Sequence, residues 1–285
     1  MDMKFADLFA GNLDAVRRSM LGRELLHIPG NVSRRFEDLF SWSDIEAVLS
    51  DCRYCPDDFS MYLGGKSLDL RLLGVFADEG SLRTAPFRSL AQQGVTLGGT
   101  HLERSFAEIA ALAKEARSLF GGIVRCAFVA SYGTVSGYPI HYDCDDLVIC
   151  QVGGRKEWRF FGPPVSGSGY PFRDEGSPGA VTVTLELGPG DVLLVPSGLR
   201  HCCRPLEPSL HFGFAITWPT GVWIARRALE NAVGRASLRE PIRPFATAED
   251  RLALEQSVRQ ELTALLSEID LDEMSSEFLT RFAPR

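Results

Sequence analysis

Two histidines and one aspartate are the residues of this chain best suited to chemistry. His141-Tyr142-Asp143 is answered far downstream by a single His201. Two imidazoles and one carboxylate form the facial ligand set that holds non-haem Fe(II) and leaves positions open for substrate and O2. In an extended strand, residues i and i+2 face the same side. His141 and Asp143 are therefore expected to reach one metal, with Tyr142 turned away. A third ligand from a distant strand requires the sheet to curl into a barrel.

The approach to His201 supports that geometry. Residues 190–201 read G-x5-P-x-G-x2-H, which is similar to a signature motif of cupin barrels. Gly188-Pro189-Gly190-Asp191 predicts a turn, Val192-Leu193-Leu194-Val195 a short apolar strand, and Pro196-Ser197-Gly198 a second turn that delivers His201. A His-x-Asp alone occurs by chance; paired with this run it reads as a metal site.

The elements that must carry these residues are mainly β. Residues 1–120 are mixed: a strand at Leu25-Leu26-His27-Ile28, a short helix over 43–49, a strand over 59–63. A helix is predicted over 100–120, with Thr100 and Glu103 as a capping box and Leu102, Phe106, Ile109, Leu112, Ala116 and Leu119 as its apolar stripe. Residues 121–218 change to strands and turns. Strands over 147–152 and 155–161 flank Gly153-Gly154, a two-residue hairpin signal. Val181, Val183, Leu185 and Leu187 alternate with polar residues, as do Leu210, Phe212, Phe214, Ile216 and Trp218. Many short alternating strands predict a sandwich or barrel. The Gly-, Pro- and Ser-rich stretch 162–179 reads as a loop near the mouth of the site. Beyond residue 220 the chain returns to helix. Thr247 and Asp250 are set to cap a helix carrying Leu254, Val258, Leu262, Leu265, Leu266 and Ile269; Met274, Phe278 and Phe282 follow. These stripes cover either the chain's own barrel or a second copy.

Lys156 is the second chemical signal. Arg155, Glu157 and Arg159 share one strand face; Lys156 lies on the other with Trp158 and Phe160. A lysine on an apolar face needs a matching charge. That anion is either a nearby protein carboxylate or the carboxylate of a cosubstrate.

Residues 141–161 together with 190–201 resemble the JmjC-type, cupin-fold 2-oxoglutarate oxygenases. Gly154-Arg155-Lys156-Glu157-Trp158 looks especially like the bacterial ribosomal-protein hydroxylases and the factor-inhibiting asparaginyl hydroxylase group. The resemblance implies a double-stranded β-helix with an N-terminal α/β extension (1–120), a catalytic barrel (121–220) and C-terminal helices (221–285) that form a homodimer. It implies Fe(II) on His141, Asp143 and His201, and 2-oxoglutarate and O2 as cosubstrates. Lys156 would grip the far carboxylate of 2-oxoglutarate, and Tyr138 would add a bond to it. Two departures stand out: Leu147 replaces an Asn common after the HxD pair, and the strand after His201 carries Ser209 and His211 where some members place an Asn. Ser209 or His211 is expected to substitute.

The implied reaction is hydroxylation of an unactivated C–H bond. Demethylation of an N-methyl group is the runner-up, and a non-catalytic cupin-like binding module the reading from another class. The resemblance points to a side chain in a protein or peptide, with the 162–179 loop and its Tyr170 and Phe172 as one wall of an open groove; a free amino acid or a tRNA base also suits the fold. The net charge of −7 argues against a phosphate backbone as partner. The first ten residues carry no signal-peptide pattern, and no run is long enough to span a membrane. A cytoplasmic protein is expected, with its seven cysteines reduced. Cys52-Arg53-Tyr54-Cys55 lacks the second half of a zinc site and is read as structural thiols. Cys203, on the predicted face of His201, is read as small filler beside Cys202.

Overall fold

The computed structural model describes residues 3–282 apart from 31–35, 78–79, 168–176, 242, 244 and 246. It divides into two compact units, Met1–Thr217 and Trp218–Arg285.

The first unit holds α1 (Leu13–Gly22), β1 (Leu26–Ile28), α2 (Ile45–Ser50), β2 (Phe59–Leu63), β3 (Lys66–Leu68), α3 (Thr84–Gln92), β4 (Thr96–Thr100) and α4 (Ala107–Phe120). Then come β5 (Ile123–Ser131), β6 (Asp146–Gly153), β7 (Lys156–Phe161), β8 (Val181–Leu187), β9 (Val192–Val195), β10 (Arg200–Pro205) and β11 (Ser209–Thr217). Two antiparallel sheets result. The larger runs β1-β9-β6-β11-β5-β4-β2-β3, the smaller β10-β7-β8. This is the expected mainly-β barrel with flanking helices.

Strand β11 shows why the N-terminal residues pack on the outer face of the large sheet. Leu210, Phe212, Phe214 and Ile216 are completely buried on one face. Phe212 meets Phe36, and Phe214 meets Phe5, edge to face at 5.9 and 5.1 Å. Each such side chain contributes roughly 1.5–3 kcal/mol on burial. The other face offers Ser209, His211 and Gly213 to the barrel interior. Ile149, Trp158, Phe160, Leu187, Leu193, Val195 and Leu199 fill that interior.

The structure departs from the sequence reading in four places. Gly153-Gly154 does not close a hairpin: β6 lies in the large sheet between β9 and β11, and β7 in the small sheet between β10 and β8. Gly154 carries the chain across. It has φ +65°, and a Cβ there would meet the carbonyl oxygen of Pro208 at 2.0 Å, so the site demands glycine for a crossing rather than for a tight turn.

The helix predicted from 100 begins at Ala107. Thr100 instead ends β4, opposite Ala127, and the Glu103 carboxylate accepts from the Cys126 backbone N–H at 2.9 Å. No capping box forms between them, because a strand pairing outcompeted a local motif.

Strand β4 itself went unrecognised, since Thr-Leu-Gly-Gly-Thr lacks alternation. Its glycines are packing requirements: a Cβ on Gly98 would meet the Tyr138 hydroxyl at 2.1 Å, and one on Gly99 the Phe128 ring at 2.2 Å. With β1 on β9 and β4 on β5, the first 120 residues build both flanks of the large sheet rather than only packing against it.

Finally, residues 141–143 form no regular strand; His141 makes a single isolated bridge with His201. Tyr170 and Phe172 of the expected groove wall lie outside the described residues.

The second unit contains α5 (Gly221–Asn231), α6 (Ala248–Ser267) and α7 (Leu271–Arg281). Thr247 caps α6 as expected, its hydroxyl accepting from the Asp250 N–H at 3.1 Å. Ala228, Ala232 and Leu265 form its core, and Trp223 packs edge to face on Phe278 at 5.0 Å. Leu252, Leu266 and Leu271 stay exposed. Among the described residues no helix is long and apolar enough to cross a membrane.

Candidate metal centre

Backbone pairing brings the three ligand candidates together. His141 and His201 exchange both hydrogen bonds, N–H of 141 to O of 201 at 3.1 Å and N–H of 201 to O of 141 at 2.7 Å. The Pro196-Ser197-Gly198 turn is stitched to the other side of the site. Gly198, at φ +81°, donates its N–H to the Asp143 carbonyl at 2.9 Å. Ser197 donates its N–H to the Asp146 carboxylate and its hydroxyl to the Cys144 carbonyl. The turn thus fixes His201 and the Asp143 segment in one step.

The side chains converge. His201 Nε2 stands 3.6 Å from Asp143 Oδ2, and His141 Nε2 4.0 Å from the same oxygen. One ligand atom from each residue lies within 4.8 Å of the others. Each imidazole is oriented from behind: Nδ1–H of His141 donates to the Pro139 carbonyl at 2.8 Å, and Nδ1–H of His201 to the Leu199 carbonyl at 2.9 Å. That fixes the tautomer with a bare Nε2 facing inward, the arrangement outer-sphere partners impose on metal-binding histidines. Burial holds His201 below the ordinary imidazole value, against the pull of Asp143, which favours the neutral form a metal requires. His201 is buried; His141 and Asp143 are about one-third exposed. The centre is reached from one side. The donor set and its orientation fit a divalent iron with open positions.

Deeper in the barrel, Lys156 is completely buried. Among the described residues no carboxylate pairs with it. Among the described residues its one hydrogen-bond contact is the imidazole of His211, Nζ to Nδ1 at 3.3 Å, and the Cys203 thiol lies close enough to act on its charge. Burial lowers the Lys156 pKa and, together with Lys156 itself and His201, pushes His211 well down. Ser209 is completely buried, and among the described residues its hydroxyl has no hydrogen-bond partner; the Gln151 Oε1 is likewise unmet. Gln151 stands opposite His211 across the strands, and its Nε2 donates to the carbonyls of Gly153 and Gly154. Buried polar atoms left unpaired cost about 1–3 kcal/mol each. A lysine and a free hydroxyl in one interior form a cradle that suits a carboxylate.

Tyr138 stands in the wall of the site. Its hydroxyl is hydrogen-bonded to Ser60 at 2.7 Å, its ring lies 4.2 Å from that of Tyr62 and 5.8 Å from that of His141, and burial pushes its pKa up to about 12. Ser60 and Tyr62 were missed from sequence, although their spacing on the predicted strand 59–63 puts them on one face. Gln151 was missed too; one amide inside an apolar strand was the available signal. Tyr142 is buried with the Arg200 guanidinium over its ring at 5.7 Å. Cys203 packs partly buried against the interior cluster. Cys52 and Cys55 are free and exposed.

Barrel, bridge and triad together define a cupin-type metal barrel. Residues 105–222 match the JmjC domain model, and the chain carries a JmjC domain. Ribosomal oxygenase 2 of Rattus norvegicus is 28% identical over 195 residues, which cover 66% of this chain and 40% of that protein. Ribosomal oxygenase 2 of Mus musculus is 25% identical over 174 residues, 60% of this chain and 36% of that protein. The chain thus spans about two-fifths of the length of these relatives. Among solved structures, the ribosomal oxygenase YcfD from Escherichia coli, in complex with cobalt and 2-oxoglutarate, superposes with a TM-score of 0.60 at 17% identity, covering 90% of this chain and 66% of that chain. The shared fold follows.

Proposed function

We propose that this protein is an Fe(II)- and 2-oxoglutarate-dependent oxygenase that hydroxylates a side chain within a protein or peptide. The observation that carries the reading is the pairing of an oriented His141, Asp143, His201 triad with a buried Lys156 that no described carboxylate neutralises. Iron and 2-oxoglutarate together supply the chemistry: O2 oxidises the cosubstrate to succinate and carbon dioxide and places one oxygen atom in a substrate C–H bond.

The chain's own residues do the positioning. His141, Asp143 and His201 hold the metal, with the carbonyls of Pro139 and Leu199 fixing the rings. Lys156 anchors the far carboxylate, and the unpaired Ser209 hydroxyl donates to it. Tyr138, engaged by Ser60, supports the wall beside His141. Apolar Trp158 and Phe160 keep water from the deep end.

A protein substrate is supported by the likeness to ribosomal oxygenases and by the exposed Ile140 next to His141 in the chain. The same likeness suits a cytoplasmic protein. Exposed Leu252, Leu266 and Leu271 on the C-terminal helices favour a homodimer, which light scattering checks: a monomeric full-length chain overturns it. The activity test incubates the iron-loaded enzyme with 2-oxoglutarate and either proteome-derived peptides or free amino acids. Succinate release with a mass gain of one oxygen on a peptide is expected. Turnover confined to free amino acids overturns the substrate class, and iron-independent or absent succinate formation overturns the enzyme.

A further inference from the structure

Lys156 meets an imidazole where a buried lysine would ordinarily meet a carboxylate. As an ammonium Lys156 offers only protons, so that Nδ1 of His211, at 3.3 Å, is then the acceptor and the ring neutral. The contact sits in a closed setting. His211 is buried on β11, Lys156 on the facing β7, and the Trp158 ring lies 5.7 Å from the imidazole. Gln151, opposite His211 on β6, has its amide nitrogen committed to two backbone carbonyls. A neutral acceptor fixes the position of an ammonium without cancelling its charge. A carboxylate would do both.

We infer that His211 is the positioning residue of Lys156, a neutral acceptor that aims the ammonium while keeping its charge available to an incoming carboxylate. The inference rests on the reading of Lys156 as the cosubstrate anchor. It makes a specific demand on position 211. Nδ1 of histidine and Oδ1 of asparagine or aspartate stand the same number of bonds from Cα. His211→Asn therefore keeps the acceptor, His211→Asp adds a competing charge, and His211→Leu removes the acceptor.

Calorimetric titration of the Mn(II)-loaded full chain with 2-oxoglutarate, under argon, reads the effect. His211→Asn is expected to bind within about 3-fold of the wild type. His211→Leu should bind roughly 10-fold more weakly, and His211→Asp roughly 100-fold, because the ligand must displace an internal ion pair. With saturating 2-oxoglutarate, kcat of the Asn and Leu variants should stay near wild type while KM for the cosubstrate follows the binding order. A residue with only a packing role would move both. Melting temperatures of the ligand-free chain give an independent check. His211→Asp should raise the melting temperature when Lys156 is present and lower it in a Lys156→Met background, since the carboxylate is then buried alone. Equal binding by His211→Asp and wild type, or an equal loss in His211→Asn and His211→Asp, overturns the role of His211 alone. A wild type that binds no 2-oxoglutarate overturns the Lys156 reading and the carboxylate half of this inference with it, while the melting cycle still decides the Lys156–His211 contact.

Discussion

Replacing Lys156 by methionine should make the protein more stable and less able to bind its cosubstrate. The two effects have one origin. Lys156 is completely buried, touches no described carboxylate, and has a pKa lowered by desolvation. Methionine fills nearly the same volume with an apolar chain. Exchanging a buried charge for a packed apolar group of similar size typically stabilises by about 1–4 kcal/mol. At about 2–4 °C per kcal/mol in a chain of this size class, this raises the ligand-free melting temperature by roughly 2–16 °C before the lost His211 contact is counted. The lost His211 contact offsets only about 1 kcal/mol, because its acceptor is then left unmet. Binding moves the other way. Truncating one member of a desolvated charge pair costs roughly 2–5 kcal/mol, which weakens 2-oxoglutarate binding by about 30-fold to several thousand-fold. Calorimetry with the Mn(II)-loaded protein and a thermal melt of the ligand-free protein measure both. A variant that melts lower and binds 2-oxoglutarate as tightly as the wild type would refute the reasoning, for it would make Lys156 a structural group.

Three further outcomes are expected. Asp143→Ala should leave the melting curve nearly unchanged, because the side chain is partly exposed, yet lower Mn(II) affinity by at least about 100-fold, above what outer-sphere losses cost; retained turnover would contradict the triad. Gly98→Ala should destabilise by about 1–3 kcal/mol in urea unfolding, since its Cβ would fall 2.1 Å from the Tyr138 hydroxyl and 2.9 Å from Ser60 Oγ; an unchanged midpoint would mean Tyr138 moves freely. Gly154→Ala combines a positive φ with a carbonyl at 2.0 Å and should cost about 3 kcal/mol or more; a soluble variant with wild-type stability would show that the crossing between sheets is not rigid.

Much of the site was legible because its signals are local. The period of two along β11, with apolar residues outward and Ser209 and His211 inward, fixes which face packs and which lines the barrel. The turn residues Gly190, Pro196 and Gly198 mark where the chain must bend before His201. Lys156, alone among Trp158 and Phe160, announced an unmatched charge. These depend on side-chain type and strand alternation, which a linear chain displays.

What the sequence could not display was partnership between distant segments. Gly153-Gly154 has the composition of a hairpin, and only the pairing of β6 with β9 and β11 and of β7 with β10 and β8 shows that it joins two sheets. Thr100 and Glu103 match a capping box, but β5 took both, Thr100 by strand register and Glu103 by the Cys126 N–H. Gly98 reads as a loop residue until Tyr138 comes across it. Lys156 had two admissible partners, a protein carboxylate or a ligand; tertiary structure put the His211 imidazole beside it, where a protein carboxylate would have been. The sequence by itself determined residue chemistry, strand faces and turn positions, because those follow from covalent structure and short-range sterics. The fold alone decided which strands neighbour one another and which buried groups meet, because those choices depend on long-range packing that no local window contains.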